Sequence, residues 1–132
     1  MRIALGVALA GCLGALARYG IGFLFPVSAA SDAFPWATTL INLSGSLLLG
    51  LLTGWLTDKP ALAWAGDLLG TGFLGAYTTF SAFNGQLWLM LEQHAYAIAA
   101  AYVFISAAAG WALAALGLSL GTAKGKRGAR RV

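Results

Sequence analysis

The chain has 132 residues, 60% of them hydrophobic and 9% charged, and its mean hydropathy is +0.81. This excludes an ordinary water-soluble domain, whose surface needs far more charge. The net charge of +4 is uneven, because Lys124, Lys126, Arg127, Arg130 and Arg131 crowd the C-terminus.

The length allows four helices of about 20 residues with short loops. The reading is an all-α membrane protein in which residues 1–121 form a single four-helix transmembrane domain and residues 122–132 a basic tail. A basic tail after an apolar span reads as a cytoplasmic anchor. No aromatic residue interleaves with its charges, so no nucleic-acid partner is expected. Cys12 is the single cysteine, which rules out an intrachain disulfide and a thiolate metal cluster.

The first apolar segment runs from Ile3 to Phe25. Its start, MRIALGVALAGC, looks like a lipoprotein leader, but the apolar pattern continues through LGALARYGIGFLF, which fits a full span better. Gly11, Gly14, Ala15 and Gly22 are small, and positions 11, 15, 18 and 22 share a helix face. Another backbone is expected to approach there, with Arg18 turned into protein. Arg18 reads either as an arginine snorkelling to the interface or as one that makes a vestibule electropositive. The loop PVSAASDAFP, which holds Asp32, follows.

The second segment, Trp36 to Thr57, places Thr38, Asn42, Gly45, Ser46 and Thr53 on one stripe. A membrane asparagine is interhelical glue or a ligand group, and a continuous stripe suits a polar track. Gly50 and Gly54 form a GxxxG pair suited to packing.

The third segment, Leu62 to Leu91, contains GFLGAYTTFSAF. Gly72 and Gly75 loosen a helix, and Tyr77, Thr78, Thr79 and Phe80 are poor helix formers in a row. A break is expected between Gly75 and Thr79. At membrane depth such backbone is tolerated only inside protein or against water. Freed carbonyls suit a small cation such as Na⁺, and half-helix N-termini suit an anion. Phe80 and Phe83 share a face of the second half; they read as ordinary core or as ring edges turned to a small anion.

The fourth segment, Ala95 to Gly121, sets Tyr102, Ser106 and Gly110 at successive fourth positions. Core and pore roles both fit Tyr102. Trp36, Trp55, Trp64 and Trp88 fall near segment ends, where rings favour the interface. An even number of spans puts both termini on one side, with Arg2, Lys59 and the tail, which reads as termini inside a multi-pass plasma-membrane protein.

Three stretches now combine: GCLGALARY at Gly11 to Tyr19, TLINLSGS at Thr39 to Ser46, and GFLGAYTTFSAF at Gly72 to Phe83. Carried in this order on a four-span chain, they make the sequence resemble the Fluc/CrcB fluoride channel family over nearly its whole length. The resemblance implies a fluoride-selective channel that lets fluoride leave the cell passively. It implies an antiparallel dimer of four-helix subunits, with the third helix broken mid-membrane, two narrow pores and a structural Na⁺ at the dimer centre. By the same likeness the Na⁺ sits on the main-chain carbonyls of Gly75 and Thr78. Asn42, Phe80 and Phe83 line the pore, with hydroxyls from Thr79, Ser81, Tyr102 and Ser106, and Arg18 marks the vestibule. The stripe on the second segment adds Thr38 to the fluoride path. Gln86 stands where some relatives carry a carboxylate.

Fluoride holds water tightly, so a pore must replace that shell with donors while binding weakly enough to release it. Outward flow needs no coupling residue, since the membrane potential supplies about 2.3 kcal/mol per charge per 100 mV. Seven of the eight basic residues lie on one side, whereas a dual-topology subunit should show almost no bias. An antiparallel homodimer and a pair with an oppositely oriented paralogue both remain open; trimming residues 122–132 and mapping both termini separates them.

Two rivals differ in kind. A proton-coupled small multidrug exporter needs a membrane-embedded carboxylate, but Asp32, Asp58 and Glu92 lie at or beyond span ends and Asp67 only just inside one. A non-transporting assembly subunit would use the small-residue faces for packing alone. An enzyme is not expected, because His94 is the only histidine and no catalytic constellation can be built around it.

Overall fold

The computed structural model describes residues 1–25 and 33–129. Asp32, Arg130 and Arg131 fall outside the described residues, as do the side chains of Lys124, Lys126 and Arg127. All the elements are helical. Helix α1 spans Arg2–Gly22 and α2 spans Trp36–Leu56. A 3₁₀ turn at Pro60–Leu62 leads into α3, our label for three consecutive pieces: Ala63–Ala65, a wider π-type winding at Gly66–Leu74, and Gly75–Tyr77. Helix α4 spans Phe80–Glu92, and α5 spans Tyr96–Ala129. The last helix therefore runs on past Gly121 into the basic segment.

Helices α1 and α2 and the Tyr96–Ala123 part of α5 are each long and apolar enough to cross a membrane. At 1.5 Å rise per residue, about 20 residues span the hydrocarbon core. Large apolar side chains such as Leu9, Leu13, Leu16, Phe104 and Trp111 stand exposed on the outer faces. Water would not tolerate so much apolar surface, whereas lipid covers it without cost. The chain is an all-α, multi-pass membrane protein.

Glycine seams hold the helices together. A Cβ on Gly50 would strike the carbonyl of Ala114, and one on Gly54 the carbonyl of Leu118. Reciprocally, a Cβ on Gly117 would strike the carbonyl of Leu47, and one on Gly121 that of Leu51. The paired numbers rise together, so α2 and α5 run parallel. Bare Cα–H groups against carbonyls are the contacts that close helix approach in lipid exploits. The GxxxG pair of α2 is thus one half of a two-sided zipper.

The α1–α3 seam works the same way. A Cβ on Gly14 would collide with the main chain of Phe73, and one on Gly72 would lie 2.8 Å from the Val7 carbonyl. Gly72 lies within the wider winding of Gly66–Leu74 and also packs closely on Val7, while Gly22, placed on the packing face, meets nothing within 4 Å among the described residues, which corrects that expectation. Gly75 keeps helical angles, φ −63° and ψ −32°. Thr53 is exposed.

Helix α4 closes with a paired 6→1 and 5→2 hydrogen-bond motif. Ala95 N–H donates to the Met90 carbonyl at 2.9 Å, and His94 N–H to the Leu91 carbonyl at 3.1 Å. The motif places His94 at φ 59°, where glycine usually sits. The turn returns the chain into α5, and Met90, Ala99 and Tyr102 form a buried cluster behind it.

The seams predict a contrast on α5. Gly117→Ala should cost about 1–3 kcal/mol by overpacking. Gly110→Ala, whose new methyl would meet nothing nearer than 3.8 Å, should be neutral or gain up to about 1 kcal/mol of helix propensity. Thermal midpoints in detergent check both.

Candidate functional site

The helical path stops after Tyr77 and resumes at Phe80. Thr78 has φ −73° and ψ 158°, and Thr79 has φ −146° and ψ 120°, both extended. In an uninterrupted α-helix the N–H of Thr79 would bond the carbonyl of Gly75, and the N–H of Ala82 that of Thr78. Neither bond forms, because side chains take both donors. The Asn42 Oδ1 accepts the Thr79 N–H at 2.8 Å, and Asn42 Nδ2 donates to the Thr79 carbonyl at 3.0 Å. The Thr79 hydroxyl caps α4 by accepting the Ala82 N–H at 3.2 Å. Gly75 and Thr78 therefore present carbonyls released from the helix ladder.

The seat for this extended pair is cut into α2. Gly45, one turn after Asn42, lies so close to the Thr78 methyl that any Cβ would collide with it. Ser44 and Tyr77 share a hydroxyl hydrogen bond of 2.9 Å, pinning the end of α3 to α2. Tyr77, Leu74 and Ile41 make a buried cluster beneath. Above it opens a groove of about 310 Å³, lined by Asn42, Ser46, Gly75, Thr78, Thr79 and Phe80 among others. Its lining carries no charged side chain. Released neutral carbonyls beside it are the donor chemistry that unwound membrane segments offer a monovalent cation, so Gly75 and Thr78 fit the Na⁺ that the resemblance implies.

A second polar centre lies behind α4. Tyr102 is completely buried, and its hydroxyl donates to Gln86 Oε1 at 2.9 Å. Phe83 leans on the Tyr102 ring with centroids 4.7 Å apart, and Phe34 meets it edge-on at 5.6 Å. Phe80 stacks on Phe83 at 6.0 Å and is itself 75% exposed. The rings thus form a row from the exposed Phe80 to the buried Tyr102.

Of the residues singled out from sequence, Asn42, Gly75, Thr78, Thr79 and Phe80 meet at the groove, Phe83 and Tyr102 meet at the second centre, and Thr38 is buried on α2. Ser81 joins the first through a 3.3 Å contact with the Thr79 hydroxyl. Ser106 is half-buried and makes no hydrogen bond among the described residues. Arg18 is half-exposed on α1, lines no part of the groove, and has no ion pair among the described residues. Asp58, Asp67 and Glu92 are all exposed.

Sequence reasoning missed the capping role of Thr79, although a threonine just before a helix is a legible N-cap signal. It also missed the Ser44–Tyr77 and Tyr102–Gln86 bonds, which join residues 33 and 16 positions apart and leave no local pattern.

Removing the Tyr102 hydroxyl should strand the Gln86 acceptor. Tyr102→Phe is expected to cost about 1–2 kcal/mol of stability, with Gln86→Leu in that background adding little. Thermal denaturation of the two variants and the double variant measures the coupling.

Comparison with known proteins places these features in a family. The family model described as CrcB-like protein, Camphor Resistance (CrcB), matches residues 5–118. A relative from Erythrobacter litoralis, named fluoride-specific ion channel FluC, is 43% identical over 122 residues, covering 88% of this chain and 89% of the relative. A FluC 2 from Bacillus licheniformis is 40% identical over 121 residues, covering 92% and 88%. A FluC from Methylobacterium nodulans is 42% identical over 109 residues, covering 82% and 85%. With the family model spanning all four apolar segments and these relatives aligned along most of both chains, this protein belongs to the CrcB-like family.

Proposed function

We propose that this chain is the subunit of a fluoride-selective ion channel that lets fluoride leave the cell passively and so lowers its toxicity inside. The observation that carries the reading is the Asn42 clamp on Thr79, which opens the helix and leaves one amide N–H of Asn42 uncommitted close to a row of phenyl rings. Three relatives of about 40% identity bear the name of a fluoride-specific channel. An ion that sheds a tight water shell needs many weak donors and no fixed cation to trap it, and no charged side chain lines the groove.

In this reading the interruption at Thr78 and Thr79 lies at membrane depth, α3 and α4 being the two halves of one broken span. Asn42 spends its oxygen and one N–H on Thr79, which leaves its second N–H to serve the ion. Phe80 and Phe83 offer ring edges. Thr79, Ser81, Thr38, Tyr102 and Ser106 supply hydroxyls, and Arg18 draws anions toward the vestibule. The main-chain carbonyls of Gly75 and Thr78 hold a structural Na⁺, whose charge would steady this uncharged backbone. Two carbonyls are too few to replace an ion's water shell, so a second copy supplies the rest. That copy sits antiparallel in the plasma membrane and covers the exposed Phe80 and Gly75. The unit acts without catalysis, as a single four-helix transmembrane domain of residues 1–121 followed by a basic tail.

Purified protein in liposomes should release fluoride down its gradient while chloride stays inside; release no faster than from empty liposomes overturns the reading. Phe80→Ile and Phe83→Ile should each cut that flux by at least about tenfold while leaving the elution volume of the folded protein unchanged. Unchanged flux in both returns the rings to packing.

A further inference from the structure

The two side chains that break the ladder at Thr79 are separate from the atoms a cation would touch. Gly75 lacks its usual donor because Asn42 Oδ1 holds the Thr79 N–H, and Thr78 lacks its donor because the Thr79 hydroxyl holds the Ala82 N–H. Each carbonyl is thus kept open by one identifiable hydrogen bond. The clamp is reinforced from the other direction, since Asn42 Nδ2 holds the Thr79 carbonyl at 3.0 Å and fixes the plane of that peptide.

We propose that Asn42 and the Thr79 hydroxyl are positioning residues for a monovalent-cation site, Asn42 holding open the Gly75 carbonyl and Thr79 that of Thr78. Neither side chain needs to touch the ion. Without the Asn42 amide, the Thr79 N–H has one good partner left, the Gly75 carbonyl, and the helix closes over the site. Without the Thr79 hydroxyl, the Ala82 N–H returns to Thr78 in the same way. The same Asn42 amide also borders the groove that leads to Phe80. Loss of the cation site and disturbance of the anion path are therefore linked through one side chain. This inference rests on the sodium reading given above.

The test is a sodium titration of thermal stability. Full-length protein in detergent is heated at increasing NaCl, with ionic strength held constant by N-methylglucamine chloride. The wild type should gain stability with sodium. Thr79→Val should need roughly tenfold more sodium for the half-maximal gain, the effect of one lost hydrogen bond, and Asn42→Leu, which loses two, should need at least as much. Thr79→Ser, which keeps the hydroxyl, should titrate like the wild type. If Asn42→Leu does not fold, the comparison of Thr79→Val with Thr79→Ser decides alone. Either disrupting variant titrating like the wild type overturns the proposal, as does equal loss in Thr79→Ser. Fluoride efflux is measured on the same preparations. A wild type that conducts fluoride but ignores sodium sinks this inference and leaves the channel reading intact. A sodium response without fluoride efflux sinks the channel reading and leaves the clamp.

Discussion

Two hydrogen bonds between the Asn42 amide and the main chain of Thr79 set the geometry of everything around them. In lipid no water is at hand to satisfy a stray backbone group, so a helix can open only where something else takes its donors and acceptors. Asparagine suits this role because its side chain repeats the peptide's own donor and acceptor pair. A leucine at that position would leave Thr79 with two unmet groups, and the ladder would close again. The open carbonyl of Gly75 follows from this exchange of partners, and the Thr79 hydroxyl, which caps α4, does the same for the carbonyl of Thr78.

Such a clamp works only if α2 is held firmly. Its register against α5 comes from four glycines whose Cα atoms face carbonyls of the other helix. Hydrophobic driving force between helices is absent in lipid, so backbone proximity must supply the attraction. The same logic joins α1 to α3 through Gly14 and Gly72. The two parallel pairs then meet around Tyr77, where Ala17 and Ile21 of α1 reach the Ile41, Leu74 and Tyr77 cluster.

Beyond the break, chemistry is graded. The groove is lined by amide, hydroxyl and backbone groups, and the neighbouring rings lead from the exposed Phe80 to the buried Tyr102. Tyr102 has its polar tip satisfied by Gln86, which lets a phenol sit fully buried in an apolar setting. In the proposed channel such an uncharged lining would replace an anion's water without binding it too tightly.

The residue order by itself determined the class of the molecule and the positions of its long helices. Apolar length forces membrane spans, and the density of glycine, threonine and asparagine marks where spans meet, because both are properties of local composition. It also singled out Asn42, Gly75, Thr78 and Thr79 as unusual. Their partnership was decided only by tertiary structure, since the bond from Asn42 to Thr79 joins residues 37 positions apart on different helices. Local pattern likewise suggested that Gly72 would loosen its helix, which winds wider there, but not that the Val7 backbone would lie against it as a packing contact. Whether a small residue is a hinge or a seat depends on what stands opposite, and only the folded chain supplies that neighbour.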